Sequence, residues 1–132
     1  MADDSELDYV RTLLLEIMPG FTVKHYSEIK NISLINDTKK GLLYPGEILT
    51  FNDVYFVTRY KLKLSDANEV ALTAGIKLLI AGAKLYNSRL AGPTQVAAMT
   101  HIRLVSANQA YEVGTTKRWN IDINIDITWS VS

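Results

Sequence analysis

The sequence predicts a single α+β domain over residues 1–132, with a mixed or antiparallel sheet of four to six strands packed against two helices. Two segments with helical periodicity alternate with segments of strand character, in the order α-β-β-β-α-β-β, and the chain ends in a long β-hairpin. The clearest strand is the last, from Arg118 to Ser132, where apolar and polar residues alternate throughout. A length of 132 residues suits one domain with its own core.

The first helix is predicted from about Asp4 or Ser5 to Met18. Ser5 can cap the helix, and the acidic side chains of the first turn favour the positive end of the helix dipole. The inward-facing stripe has helical spacing and consists of Val10, Leu13, Leu14 and Ile17. A Pro-Gly pair ends the helix, and the alternation from Phe21 to His25 predicts a short strand after it.

Residues 27–46 fit neither the helical nor the strand period. Only turns are predicted there, at Asp37 to Gly41 and at Tyr44 to Gly46, where Pro, Gly, Asn and Asp are concentrated. The segment from Glu47 to Phe51 then predicts a strand, and a turn follows at Asn52-Asp53.

A second long strand is predicted from Val54 to Leu64. One face is mostly apolar, and the other contains Arg59, Lys61 and Lys63. The polar face of the last strand contains Asp122 and Asp126, so we expect the two strands to be neighbours whose opposite charges lie across from one another. The balanced charges indicate a solvated sheet face.

The second helix is predicted from Asp66 to about Tyr86, with Asp66 or Ser65 as its cap and Glu69 in a capping-box-like position. It is apolar on nearly all sides, which is typical of a helix inside a large core or covered by another chain. A glycine in a helix interior costs about 1 kcal/mol relative to alanine, so its two glycines indicate close packing. We therefore expect self-association through four residues of this helix: Ala71, Gly75, Leu79 and Gly82.

Two loops, Asn87 to Thr100 and Asn108 to Lys117, are predicted on either side of a strand whose inward residues are Ile102 and Leu104. The second loop leads into the last strand and completes the terminal hairpin. In that strand the inward face consists of Trp119, Ile121, Ile123, Ile125, Ile127, Trp129 and Val131.

The last strand is longer than a small domain needs, at about 3.3 Å per residue. We therefore expect its end to pass beyond the core of one chain. Trp129 and Val131 are the predicted contacts with a neighbouring subunit.

Fourteen basic and fourteen acidic residues give a net charge of zero. Bulk charge therefore gives no support for specific nucleic-acid binding or for attachment to an anionic membrane. A neutral and fairly apolar chain lacks the repulsion that opposes association. The absence of cysteine excludes disulfides and thiolate chemistry and suits a reducing cytoplasm. The acidic amino end is the opposite of a signal peptide, so export by that route is not expected.

Residues suited to catalysis or metal binding are few. His25 and Glu28 have the spacing of a metal-binding pair, but a metal site needs three or four ligands. Asp122 and Asp126 share a strand face, as in a calcium or acid-base site, but any alternating polar face gives the same spacing. The sequence contains no phosphate-binding glycine loop and no nucleophile motif. We predict no catalytic residue, no metal and no cofactor, and a protein that is not an enzyme.

The order of helix, strands, apolar helix and terminal hairpin, with Arg118-Trp119 opening the alternating strand that runs through Trp129, resembles the small tail-terminator and tail-completion proteins of tailed phages and prophages. The likeness covers most of the chain by element order, without a diagnostic motif, and residues 27–46 depart from it. It implies a structural virion component that forms a ring, often a hexamer, at the head-proximal end of the tail tube. The implied partners are copies of itself and other virion proteins, and the implied locations are the virion and, during assembly, the host cytoplasm.

Two alternatives from other classes remain open at this point. One is a small homo-oligomeric ligand-binding or regulatory module with a pocket between helix and sheet. The other is an enzyme that uses His101 with an acidic partner. The mass of the protein in solution separates a ring from a small dimeric module.

Overall fold

The computed structural model describes residues 4–29, 31–32, 39–88, 98–108, 111–113 and 118–131. The elements in these residues are α1 (Asp4–Ile17), β1 (Thr22–His25), β2 (Lys40–Leu43), β3 (Glu47–Phe51), β4 (Tyr55–Asp66), α2 (Glu69–Ser88), β5 (Met99–Ala107), β6 (Tyr111–Val113) and β7 (Arg118–Ser130). All seven strands belong to one sheet with the order β1-β2-β4-β7-β5. β3 pairs with β4 on the same side as β2, and β6 pairs with β7.

The sheet is mixed, because β1 and β2 are parallel whereas the other pairs are antiparallel. This confirms the predicted α+β class and the order of its main elements. Two short strands, β2 and β6, were not predicted. β6 lies inside the predicted loop from Asn108 to Lys117 and pairs with the start of β7.

The two longest strands, β4 and β7, form the centre of the sheet. They pair antiparallel along the whole length of β4, from Tyr55 opposite Ser130 to Asp66 opposite Trp119. The prediction that they are neighbours is therefore confirmed.

The turn predicted at Asp37 to Gly41 is wrong for its last two residues. Lys40 and Gly41 begin β2, whereas Asp37 and Thr38 lie outside the described residues. All four residues of β2 are buried, because the strand lies between β1 and β4 and is covered on both faces. A strand buried on both faces has no alternation of polar and apolar residues, so periodicity could not reveal it.

Helix α2 begins at Glu69 rather than at the predicted Asp66, which is the last residue of β4. The cap is Asn68, whose side-chain oxygen accepts a hydrogen bond of 2.9 Å from the backbone N–H of Val70. The Asp66 carboxylate accepts one of 2.8 Å from the backbone N–H of Asn68. Asp66 therefore orders the turn before the helix instead of capping it.

Both helices pack on one face of the sheet, and the main core lies between these two layers. All four residues of the predicted α1 stripe are buried, and so are the inward residues of β4 from Thr58 to Leu64. Ile102 is buried and Leu104 packs against the core, as predicted. A smaller apolar cluster covers β2 on the opposite face of the sheet and contains Tyr26, Ile29, Ile32, Leu42 and Tyr44.

Candidate assembly surface

The exposed apolar side chains of the described residues are concentrated in two separate places. The first consists of β3, the turn that follows it and the first residue of β4, residues 47–55, and is here called the apolar hairpin. The second is the solvent side of α2, here called the outer helix face. Its exposed residues recur at helical spacing and are Glu69, Val70, Thr73, Ala74, Lys77, Leu78, Ile80, Ala81, Lys84, Leu85 and Ser88.

The apolar hairpin exposes large side chains on a strand that lacks cover. Every residue of β3 is exposed, and Phe51 and Val54 next to the turn are 77% and 63% exposed. Ile48, Leu49 and Tyr55 are exposed as well. Among the described residues, β3 pairs only with β4, so its outer edge carries unpaired backbone groups. Such an edge is a common place for a second chain to bind.

The turn of the apolar hairpin is held in place by its own hydrogen bonds. The side-chain oxygen of Asn52 accepts from the backbone N–H groups of Val54 and Tyr55 at 2.7 and 2.8 Å. The N–H of Asn52 donates to the carbonyl oxygen of Tyr55 at 2.9 Å. The exposed side chains are therefore presented on an ordered turn, which lowers the entropy cost of binding.

The sequence predicted self-association through Ala71, Gly75, Leu79 and Gly82, and the structure places these residues largely inside one chain. Gly75, Leu79 and Gly82 are buried, and Ala71 is half-buried. A Cβ atom added at Gly75 would lie 2.8 Å from the ring of Phe21. The glycines do have a packing reason, but their neighbours belong to the same chain. The surface that α2 offers to another chain is the outer helix face.

The end of the last strand also differs from the expectation. Trp129 is buried in its own chain, where its ring stacks on Phe56 at 6.2 Å between centroids. Trp129 therefore has little surface left for contact with a neighbouring subunit. Val131 is exposed, and its backbone N–H donates to the carbonyl oxygen of Val54 at 2.8 Å, beside the apolar hairpin.

The face of the sheet opposite the helices carries charges in a row across four strands. Glu47, Arg59, Asp126 and Arg103 are successive partners on β3, β4, β7 and β5. The Arg59 guanidinium donates two hydrogen bonds to the Asp126 carboxylate, at 2.7 and 3.0 Å. This hydrogen bonding raises the pKa of Arg59 despite the opposing effect of desolvation, and the nearby charges of Asp126 and Glu47 add to the increase.

The charge pairs predicted between β4 and β7 are confirmed, and the row has the alternating signs of an internally balanced surface. The expectation that this face is solvated is wrong for Asp126 and Asn120, because both are buried. Asp126 is covered by the Arg59 side chain that binds it.

The two histidines occupy different environments. His25 is buried between two carboxylates, with Nε2 at 3.3 Å from Asp8 and Nδ1 at 3.6 Å from Glu28. Arg11 contacts the same two carboxylates at 3.0 and 2.6 Å. His101 is exposed on β5 opposite Thr128. The spacing in the sequence indicated that His25 and Glu28 lie close together. The sequence did not indicate that Asp8 and Arg11, one turn apart on α1, contact them.

This network ties α1 to the turn after β1. Burial raises the pKa of Glu28, but the backbone N–H of His25 and the charges of Arg11, His25 and Lys24 outweigh it and hold that pKa below its usual value of 4.5. Glu28 is therefore an anion at neutral pH. Within the part of the chain that the structure describes, no three His, Asp or Glu side chains are arranged so that they could hold a metal ion.

No protein-family model matches this sequence, and no curated protein matches it either. The fold is similar to that of a chain in the solved structure "Virion of native gene transfer agent (GTA) particle", with a TM-score of 0.55 and 11% sequence identity. The similarity covers 94% of this chain and 90% of that chain. At this identity the likeness shows a shared fold.

Neither helix among the described residues has both the length and the apolar character that crossing a membrane requires.

Proposed function

We propose that this protein is a structural component of a phage-like virion, of the ring-forming tail-terminator or head-tail joining type. It acts by assembling with copies of itself and with other virion proteins, and it performs no catalysis. The observation that carries this proposal is the fold shared over nearly the full length of both chains with a chain of a gene transfer agent particle.

The surface of the chain suits a protein that works by assembly. One chain leaves the apolar hairpin and the outer helix face exposed, and both contain large apolar side chains. Apolar surface of this kind on a single chain is typical of protein interfaces. The net charge of zero opposes association only weakly.

Measurement of mass in solution tests the proposal. The purified protein at tens of micromolar is examined by light scattering after gel filtration, followed by negative-stain imaging. We expect one discrete oligomer, such as a hexamer, that appears as a ring with a central opening. A compact monomer at these concentrations would count against the proposal.

A second candidate is a small homo-oligomeric ligand-binding module. It is favoured by a shallow cleft of about 460 Å³ beside α1 and β1, whose polar lining includes Arg11, Lys24 and Glu28. This candidate predicts a dimer and an increase in melting temperature with a small charged ligand. The ring proposal predicts neither result, so the same protein sample distinguishes the two.

A further inference from the structure

We propose that neighbouring copies contact one another through two different surfaces, with the apolar hairpin of one copy seated on the outer helix face of the next. This inference rests on the proposed function, because it needs a self-assembling protein. It specifies which surfaces meet and which copy contributes each.

Exposure is the first reason for choosing these two surfaces. Phe51 and Val54 are among the most exposed large apolar side chains described, and Leu78 and Leu85 are also exposed although they belong to a helix whose other side is buried. The main core of the chain covers none of them. Contact between the two surfaces would remove the apolar side chains of both from water at once.

Charge is the second reason, and it distinguishes this contact from other pairings of the same surfaces. The apolar hairpin contains two acidic residues, Glu47 and Asp53, and no basic residue. The outer helix face contains two basic residues, Lys77 and Lys84, in its middle and last part, and one acidic residue, Glu69, in its first turn, so its net charge is positive. Contact between hairpin and helix therefore joins opposite charges.

A symmetric contact would bring like charges together. Two outer helix faces would place lysines against lysines, and two hairpins would place carboxylates against carboxylates. Like-charge contacts disfavour the wrong partner. The contact between unlike surfaces is therefore favoured over both symmetric ones.

When each contact joins the apolar hairpin of one copy to the outer helix face of the next, an open chain of copies always has one unused hairpin at one end and one unused helix face at the other. Such head-to-tail contacts generate a ring when the rotation between copies closes, and an open filament when it does not. The arrangement thus provides a route from the surface of one chain to a ring.

Two single-surface variants test the inference. Phe51→Lys places on the apolar hairpin, at a strongly exposed position, a charge of the same sign as the lysines of the outer helix face, and Ala81→Glu places in the middle of the outer helix face a charge of the same sign as the carboxylates of the hairpin. Leu15→Ser is the control, because Leu15 is an exposed apolar residue of α1 outside both surfaces. Circular dichroism and thermal melting establish that each variant is folded.

Each single-surface variant alone is expected to lose the oligomer and run as a folded monomer, whereas Leu15→Ser keeps the wild-type mass. The decisive sample is an equimolar mixture of the two variants. Each variant retains one intact surface, so the mixture is expected to form a heterodimer and nothing larger. A symmetric contact cannot give this result, because the variant that keeps the symmetric surface intact would then dimerise by itself, and the two variants would not bind each other.

Different experimental results would contradict this inference and the proposed function. A wild-type oligomer that persists in both variants, or a mixture that stays monomeric, overturns the hairpin-to-helix contact and leaves ring formation standing. A monomeric wild-type protein overturns the proposed function. If a variant is unfolded, Asp53→Lys and Lys84→Glu replace it, since they reverse charge at exposed positions on the same two surfaces.

Discussion

The indole Nε1 of Trp129 donates a hydrogen bond of 2.8 Å to the hydroxyl oxygen of Thr58, and both residues are buried. The two residues belong to the central strands β7 and β4 but are not direct partners in the sheet. The hydrogen bond to Thr58 therefore fixes the position of the Trp129 ring, which makes aromatic contacts with Phe56 and Tyr9. We expect deletion of residues 129–132 to destabilise the fold itself, because this ring belongs to the main core.

Thr58→Val keeps the shape of the side chain but removes the acceptor of this hydrogen bond. The buried indole N–H then has no partner for its proton, which should lower the free energy of unfolding by about 1–3 kcal/mol. Urea denaturation measures the change. The control is Thr128→Val, which changes a half-buried threonine on the other face of the sheet and should cost under about 0.5 kcal/mol. Equal effects of the two variants would show that the bond has no special role.

Gly82→Ala should destabilise the protein even though alanine is ordinarily better in a helix by about 1 kcal/mol. The added Cβ would lie 2.5 Å from Cγ2 and 3.1 Å from Cβ of Ile17, a stiff β-branched side chain. Overpacking of this kind costs about 1–3 kcal/mol. Thermal melting of Gly82→Ala and of Gly82→Ala/Ile17→Ala measures the effect, and the second change should relieve part of the clash. An increase in melting temperature for the single variant would contradict the observed packing.

Ile125→Ala should lower the free energy of unfolding by about 2–5 kcal/mol, because Ile125 is fully buried at the centre of β7. Asn124→Ala changes the neighbouring residue on the other face, where the amide contacts the Ser106 hydroxyl in an exposed position. That change should cost under about 0.5 kcal/mol. Chemical denaturation of both variants gives the comparison, and similar losses would refute the assignment of the two faces.

The Glu28 network predicts a loss of stability in acid. Because the pKa of Glu28 in the folded protein is below its usual 4.5, the stabilisation from this carboxylate is present above that value and is lost as the pH falls through the folded-state pKa. Glu28→Gln should reduce this acid-dependent part of the loss, as measured by urea midpoints from neutral pH to below 4.5. Identical profiles for the wild-type protein and Glu28→Gln would rule out a contribution from Glu28.

Periodicity was sufficient where one side of an element faces the core. The last strand and α1 each turn one apolar face to the main core, so their inward residues could be predicted individually, including Ile123, Ile125 and Leu13. The pairing of Arg59 with Asp126 also followed from the sequence, because two long strands with opposite charges on their polar faces fit together.

Periodicity failed where the environment is set by distant parts of the chain. β2 is buried on both faces, so Leu42 and Leu43 show no alternation. Ile17 of α1 packs against Gly82. No local pattern in α2 shows whether the residue packed there belongs to the same chain or to a second subunit. Trp129 was expected at a subunit contact because of the length of its strand, but Thr58 and Phe56 cover it within the chain.

The candidate assembly surface was predicted only in its general location. An excess of apolar residues in α2 indicated a second covered side, and the exposed Leu78 and Leu85 agree with that idea. The apolar hairpin was missed, because the sequence predicts a strand from Glu47 to Phe51 and a turn after it but does not show which strand lies at an edge of the sheet. Only the sheet order shows that β3 lies at an edge and that Phe51 remains exposed.

The pairing of β4 with β7 has a consequence for how the chain folds. Arg59 and Asp126 are 67 residues apart in sequence, and Thr58 and Trp129 are 71 apart. Contacts between such distant segments form slowly, since the loop between them must close before any contact stabilises it. During synthesis β3 and β4 can form their local hairpin early, but one edge of β4 stays unpaired until the ribosome has made β7. The newly made chain therefore passes through a period in which β4, one of its two longest strands, has an open edge that favours aggregation.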